Sequence, residues 1–142
     1  MLNLFKTNKF ENIPSIGFLL FRMTLGSALM IHGWTKIQAP MTWMGDSVPA
    51  IFQFLAAIAE FGGGLSWIIG LAVPISSFGI FCAMAVAVHM HAVIRGDPFV
   101  GKESSYEPAL IYLVSSLLLF LAGPGKFSLD QKIFGSKSSK NI

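Results

Sequence analysis

Four apolar runs, at about 14–37, 49–73, 74–94 and 107–122, leave this chain little choice of fold. Each has about the 17–25 residues that a helix needs to cross a hydrocarbon core of roughly 30 Å, the last at the lower limit. None alternates polar and apolar residues as a half-buried strand does. In lipid a helix satisfies its own backbone, whereas an open sheet leaves its edges unpaired. A proline stands at or beside each start (Pro14, Pro49, Pro74, Pro108), where its missing N–H is harmless. Gly123-Pro124-Gly125 stops the fourth run. The pattern predicts an all-α integral membrane four-helix bundle of antiparallel spans. Only 12% of the residues are charged against about 25% in a soluble domain, which turns the choice toward membrane.

Gly70-Leu71-Ala72-Val73-Pro74 must hold a tight turn, so the second and third spans are neighbours. The connections at about 38–48 and 95–106 are longer and polar, and they share the opposite face. Residues 1–13 are expected to lie along the interface, 14–125 to form the bundle, and 126–142 to be a basic cytoplasmic tail. The opening run carries Arg22 and no small-residue cleavage site, so it reads as a retained span rather than a signal peptide. The net charge of +3 is concentrated at the ends, in Lys6, Lys9, Lys126, Lys132, Lys137 and Lys140. The other face holds Lys36, Arg95 and Lys102, so the positive-inside rule places both termini in the cytoplasm of a bacterial inner membrane. Basic patches with interleaved aromatics are absent, and nucleic acid is not an expected partner. The single cysteine, Cys82, excludes an internal disulfide and is expected to be a buried, inert thiol.

Against this background the ionisable groups inside the spans stand out. Such groups are costly in lipid, and they face a bundle interior or water. His32 and Lys36 are spaced i, i+4 on the first helix, and Arg22 projects within about 80° of both. By rise alone Glu60 is the expected partner of Arg22 in the bundle core. Gly62, Gly63 and Gly64 would let another helix approach closely. His89 and His91 are two apart and cannot both face one site unless the helix unwinds. His32, Lys36, one third-helix histidine, Tyr106 and Glu107 should gather at the outer end of the bundle. Trp34 and Trp43 suit the outer interface, and Trp67 the inner one.

A pocket of that kind fits a quinone: a donor for a carbonyl, a carboxylate or imidazole for protons, and an apolar slot for a tail. A bis-histidine haem between His32 and His89 has less support, because no C-x-x-C-H attachment exists. The histidines lack the convergent spacing of a zinc site, and no metal is expected. A non-catalytic accessory or assembly protein is the competing reading.

The stretches LLFRMTLGSALMIHGWTKI, LAAIAEFGGGLSWIIGL, VHMH, SSYEPALIYL and LAGPGKFSLD, in this order and spacing, resemble the DoxX-like family of small four-helix bacterial membrane proteins. The likeness runs over about residues 14–130. It implies the four-span bundle and matches Arg22, His32, Lys36, Glu60, His89 and Glu107 to family polar positions. The family names suggest membrane redox or sulfur and thiol stress. The thiol chemistry of its paired-cysteine relatives does not transfer to a chain with one cysteine. The loop HAVIRGDPFVGKESS also departs from the Asn-Gly-Phe-Phe-like run seen elsewhere. The resulting expectation is a redox-associated subunit, possible oxidoreductase chemistry included, in contact with lipid, a redox partner protein and further copies of itself. His32, Lys36, His89 and Glu107 are the expected catalytic groups; Arg22, Glu60, His91 and Tyr106 are the expected ligand-binding ones.

Overall fold

A computed structural model describes residues 13–135. The expected interfacial segment MLNLFKTNKF and the terminal KSSKN lie outside the described residues. Helix α1 spans Ile13–Gln38, α2 Ala50–Ile69, α3 Val73–His89, α4 Glu107–Ala122 and α5 Leu129–Phe134. A short 3-10 turn, Gly45–Ser47, precedes α2, and α3 runs on into a π turn, Met90–Ile94. Pro14–Gln38, Ala50–Ile69 and Val73–Ile94 are long and apolar enough to cross a membrane. Helix α4 has 16 residues, about 24 Å, and is a shorter apolar helix.

The burial pattern is that of a protein solvated by lipid. Ile31, Ile75 and Leu121 are 70%, 77% and 74% exposed, while Arg22, Gln53, Glu60, Ser77 and Ser116 are buried. In water that arrangement would forfeit the main driving force for folding; in hydrocarbon it puts polar groups where protein can satisfy them. Cys82, expected to be buried, is exposed on the surface of α3. Trp67, expected at the inner interface, is fully buried, and its indole N–H donates to Ser77 Oγ at 2.9 Å. It forms the buried core together with Leu29, Val73, Ile80, Met84, Tyr112 and Leu119.

Helix α1 packs along α2, α2 on α3, and α3 on α4, whereas α1 and α4 meet sparsely. Glycines set the α1–α2 distance: a Cβ on Gly64 would lie 2.6 Å from Gly26 O, and one on Gly33 would lie 2.5 Å from Phe61 N. Gly63 turns the other way, against Ile80 of α3. The glycine run of α2 therefore serves two neighbours at once.

One end of the bundle is fastened. Between α4 and α5 the chain crosses beneath α1, where Gly125 sits against Phe18 and Phe127 O accepts from Arg22 Nη2 at 2.5 Å. Asp130 then caps α3: its two carboxylate oxygens accept from Ala72 N at 2.7 Å and Val73 N at 2.8 Å, and its own N–H donates to Gly70 O at 2.9 Å. Those α3 N–H groups have no partner within the helix, and a carboxylate also complements the helix dipole there.

Candidate functional site

The close approach at Gly33 fixes which charges can meet. Lys36 lies one turn beyond Gly33, at the level where α1 faces Glu60 and Phe61. Arg22 lies eleven residues the other way, about 16 Å along the axis. Lys36 Nζ accordingly donates to Glu60 Oε1 at 2.5 Å, with the Glu60 side chain only 6% exposed. The Arg22–Glu60 pair expected from sequence does not form. That expectation rested on equal span depths, but the close approach of Gly33 to Phe61 staggers the two helices and puts Glu60 level with Gly33 rather than Arg22. Arg22 sits instead in the fastened end; Asp130 is the carboxylate whose charge acts on it, and its Nε and Nη1 have no hydrogen-bond partner among the described residues.

The Lys36–Glu60 pair has a roof. The Trp43 ring lies 4.5 Å from Lys36 Nζ, a cation–π distance. Trp43 Nε1 donates to Gln53 O at 3.1 Å. Gln53, 1% exposed, uses both ends of its amide: Oε1 accepts from Met44 N at 2.7 Å, and Nε2 donates to Gly45 O at 2.7 Å and Val48 O at 2.6 Å. One buried glutamine thus folds the α1–α2 connection down over the ion pair.

The far wall comes from the end of α3. In the π turn, Arg95 N donates to Met90 O at 3.0 Å, one residue further back than in an α-helix. The wider turn leads into the loop that carries Asp97, and the two histidines stay on different sides of the chain, as their spacing requires. His91 lines the cavity; His89 is exposed and does not. His91 Nδ1 is 2.6 Å from Asp97 Oδ2, Ser104 Oγ donates to Asp97 Oδ1 at 2.9 Å, and Asp97 N donates to His91 O at 2.9 Å. The hydrogen bond from His91, together with that from Ser104, holds the Asp97 carboxyl below its ordinary range.

Between these walls is a cavity of about 250 Å³, lined from all four long helices by Leu29, His32, Lys36, Glu60, Met84 and Tyr112, among others including His91. His32 stands at its lip, edge-on to Tyr112 at 6.1 Å. Of the eight expected site residues, the structure brings His32, Lys36, Glu60 and His91 together. Arg22 belongs to the opposite end, and His89, Tyr106 and Glu107 do not line the cavity. The Tyr106 ring packs tilted against Phe99, with centroids 5.4 Å apart, within the α3–α4 loop. Sequence reasoning missed Tyr112, Gln53 and Asp97. Tyr112 was within reach, because with Ser115, Ser116 and Leu119 it forms an i, i+3, i+4, i+7 buried stripe. Gln53 had a signal too, as a lone amide in an apolar run. Asp97 had none, because its role depends on the π turn.

A family model described as DoxX matches residues 17–92 of the 142, more than half of the chain. The match takes in α1 from Gly17 onward, all of α2 and α3, and the π turn as far as Ala92, and so three of the cavity's four walls. No curated protein and no solved structure matches the chain.

Proposed function

This chain belongs to the DoxX family of membrane proteins, and from that premise we propose that it is a redox-associated subunit binding a quinone, or a similar small ligand with polar ends and an apolar body, in the cavity beneath the Trp43 loop. The observation that carries the reading is the company Lys36 keeps. An ammonium has three N–H donors, and Glu60 takes one. Another is free for a ligand carbonyl, with His32 and His91 lining the same space. At about 250 Å³ the cavity falls just below the roughly 300–1,000 Å³ of drug-sized sites, which suits a ring-sized head group rather than a whole lipid. An apolar tail would leave the cavity between α1 and α4, which both line it.

In this reading His32, Lys36 and His91 contact the ligand, Glu60 balances Lys36, and Tyr112 shapes the lip. A redox partner protein exchanges the electrons, and a homo-oligomer is compatible with the arrangement. The protein sits in a bacterial inner membrane with both termini cytoplasmic, so the cavity opens near the outer face. The second reading, a non-catalytic accessory or assembly protein, draws on Arg22 and Asp130, whose contacts at the other end serve only to fasten the bundle.

The test is extraction of purified protein for bound quinone. Retention by the wild type, lost in His32→Ala at unchanged thermal stability, is expected. A wild type that retains none, even when reconstituted in quinone-loaded lipid, would leave the accessory reading standing.

A further inference from the structure

The groups lining the cavity are not equivalent as hydrogen-bonding partners, and the difference selects between two forms of one ligand. An ionised carboxylate only accepts hydrogen bonds. Asp97 faces His91 Nδ1 at 2.6 Å and is further tied by Ser104 Oγ. The proton of a neutral His91 therefore sits on Nδ1, and Nε2, on the opposite side of the ring, carries a lone pair. Lys36 presents the reverse polarity, an ammonium with donors only.

We propose that Asp97 and Ser104 are positioning residues that hold His91 as a hydrogen-bond acceptor in the cavity, so that the site prefers a hydroquinone to the corresponding quinone. One hydroxyl of the reduced ring donates to His91 Nε2 while the other oxygen accepts from Lys36. A quinone can satisfy Lys36 but sets a carbonyl lone pair against the Nε2 lone pair. The proposal rests on the quinone reading of the cavity. It concerns binding alone and moves no electron. The titratable and charged groups around His91 are His32 and Lys36 from α1, Glu60 from α2, Tyr112 from α4, and Arg95 and Asp97 from the loop. Of these, Asp97 alone hydrogen-bonds the His91 ring among the described residues.

Two measurements separate failure of this proposal from failure of the reading beneath it. The first needs no ligand: imidazole 15N spectra of the full chain in lipid nanodiscs at neutral pH. In the neutral form of the His91 ring the proton is expected on Nδ1, with a shift toward the Nε2–H form in Asp97→Asn. The Nε2–H form in the wild type, or no change in the variant, overturns the proposal. The second is anaerobic titration with a short-tailed benzoquinone and its hydroquinone. The loss of one good hydrogen bond predicts about tenfold tighter binding of the hydroquinone, abolished by Asp97→Asn. Equal affinities in the wild type, or an undiminished preference in the variant, overturn it. Binding of neither form overturns the quinone reading itself, whatever the spectra show.

Discussion

Lys36 and Glu60 answer why an apolar helix carries a lysine so near its end. A buried acid without a partner is costly, and removing one member of such a pair typically costs about 3–5 kcal/mol. Replacing both by apolar residues is often neutral. Lys36→Met should therefore lower the unfolding temperature of detergent-solubilised protein sharply, and Lys36→Met with Glu60→Leu should recover most of the loss. A double variant as unstable as the single would show that the contact is not the source of the cost. Asp97 gives a pH dependence. Because its folded-state carboxyl is held low, the stabilisation is whole above the ordinary value near pH 4 and fades as pH falls through the lower folded value. A spin label at Val100→Cys in a Cys82→Ser background should stay ordered at pH 5–6 and become mobile only below about pH 4, and adding Asp97→Asn should make it mobile at pH 6. Mobilisation of the parent label already at pH 5 would contradict the assignment.

Elements, rather than single residues, decide which side chains meet. The α1–α2 register is set where Gly33 meets Phe61, so Gly33→Ala must push the helices apart or slide them. Overpacking of this kind costs about 1–3 kcal/mol. Gly17→Ala, which would meet nothing within 4 Å, is the control and should leave the melting temperature unchanged or slightly raised. Equal behaviour of the two variants would remove Gly33 from the account. The spans themselves were legible from apolar length and proline placement, and the α2–α3 turn fell where Gly70 and Pro74 bracket it. The Arg22–Glu60 pairing was not, because depth counted along separate helices ignores the axial stagger between them. Nor was the choice of His91 over His89, because their spacing separates the two but does not say which side of α3 the cavity takes.

For the whole molecule, the cavity lies at the end carrying the two long loops, and Arg22 lies at the end carrying the tight turn and α5. If both termini are cytoplasmic, Asp46→Cys and Lys102→Cys in a Cys82→Ser background should react with an impermeant thiol reagent on intact cells, while Lys132→Cys should not. The reverse pattern would place the cavity on the cytoplasmic side. The four-helix plan could be read from hydropathy because lipid rewards the same property everywhere along a span. The site could be read only in part, because it depends on two loops whose folds come from Gln53 and Asp97, single polar residues in otherwise ordinary surroundings.

Asp130 grips the start of a helix that began 57 positions earlier. During biosynthesis the third span is threaded into the bilayer long before its clasp has been made. Until that residue leaves the ribosome, the α2–α3 turn has no cap and Arg22 no carbonyl to hold it. A chain cut just before Phe127 would insert and yet stay unlatched, an early target for the proteases that patrol the membrane.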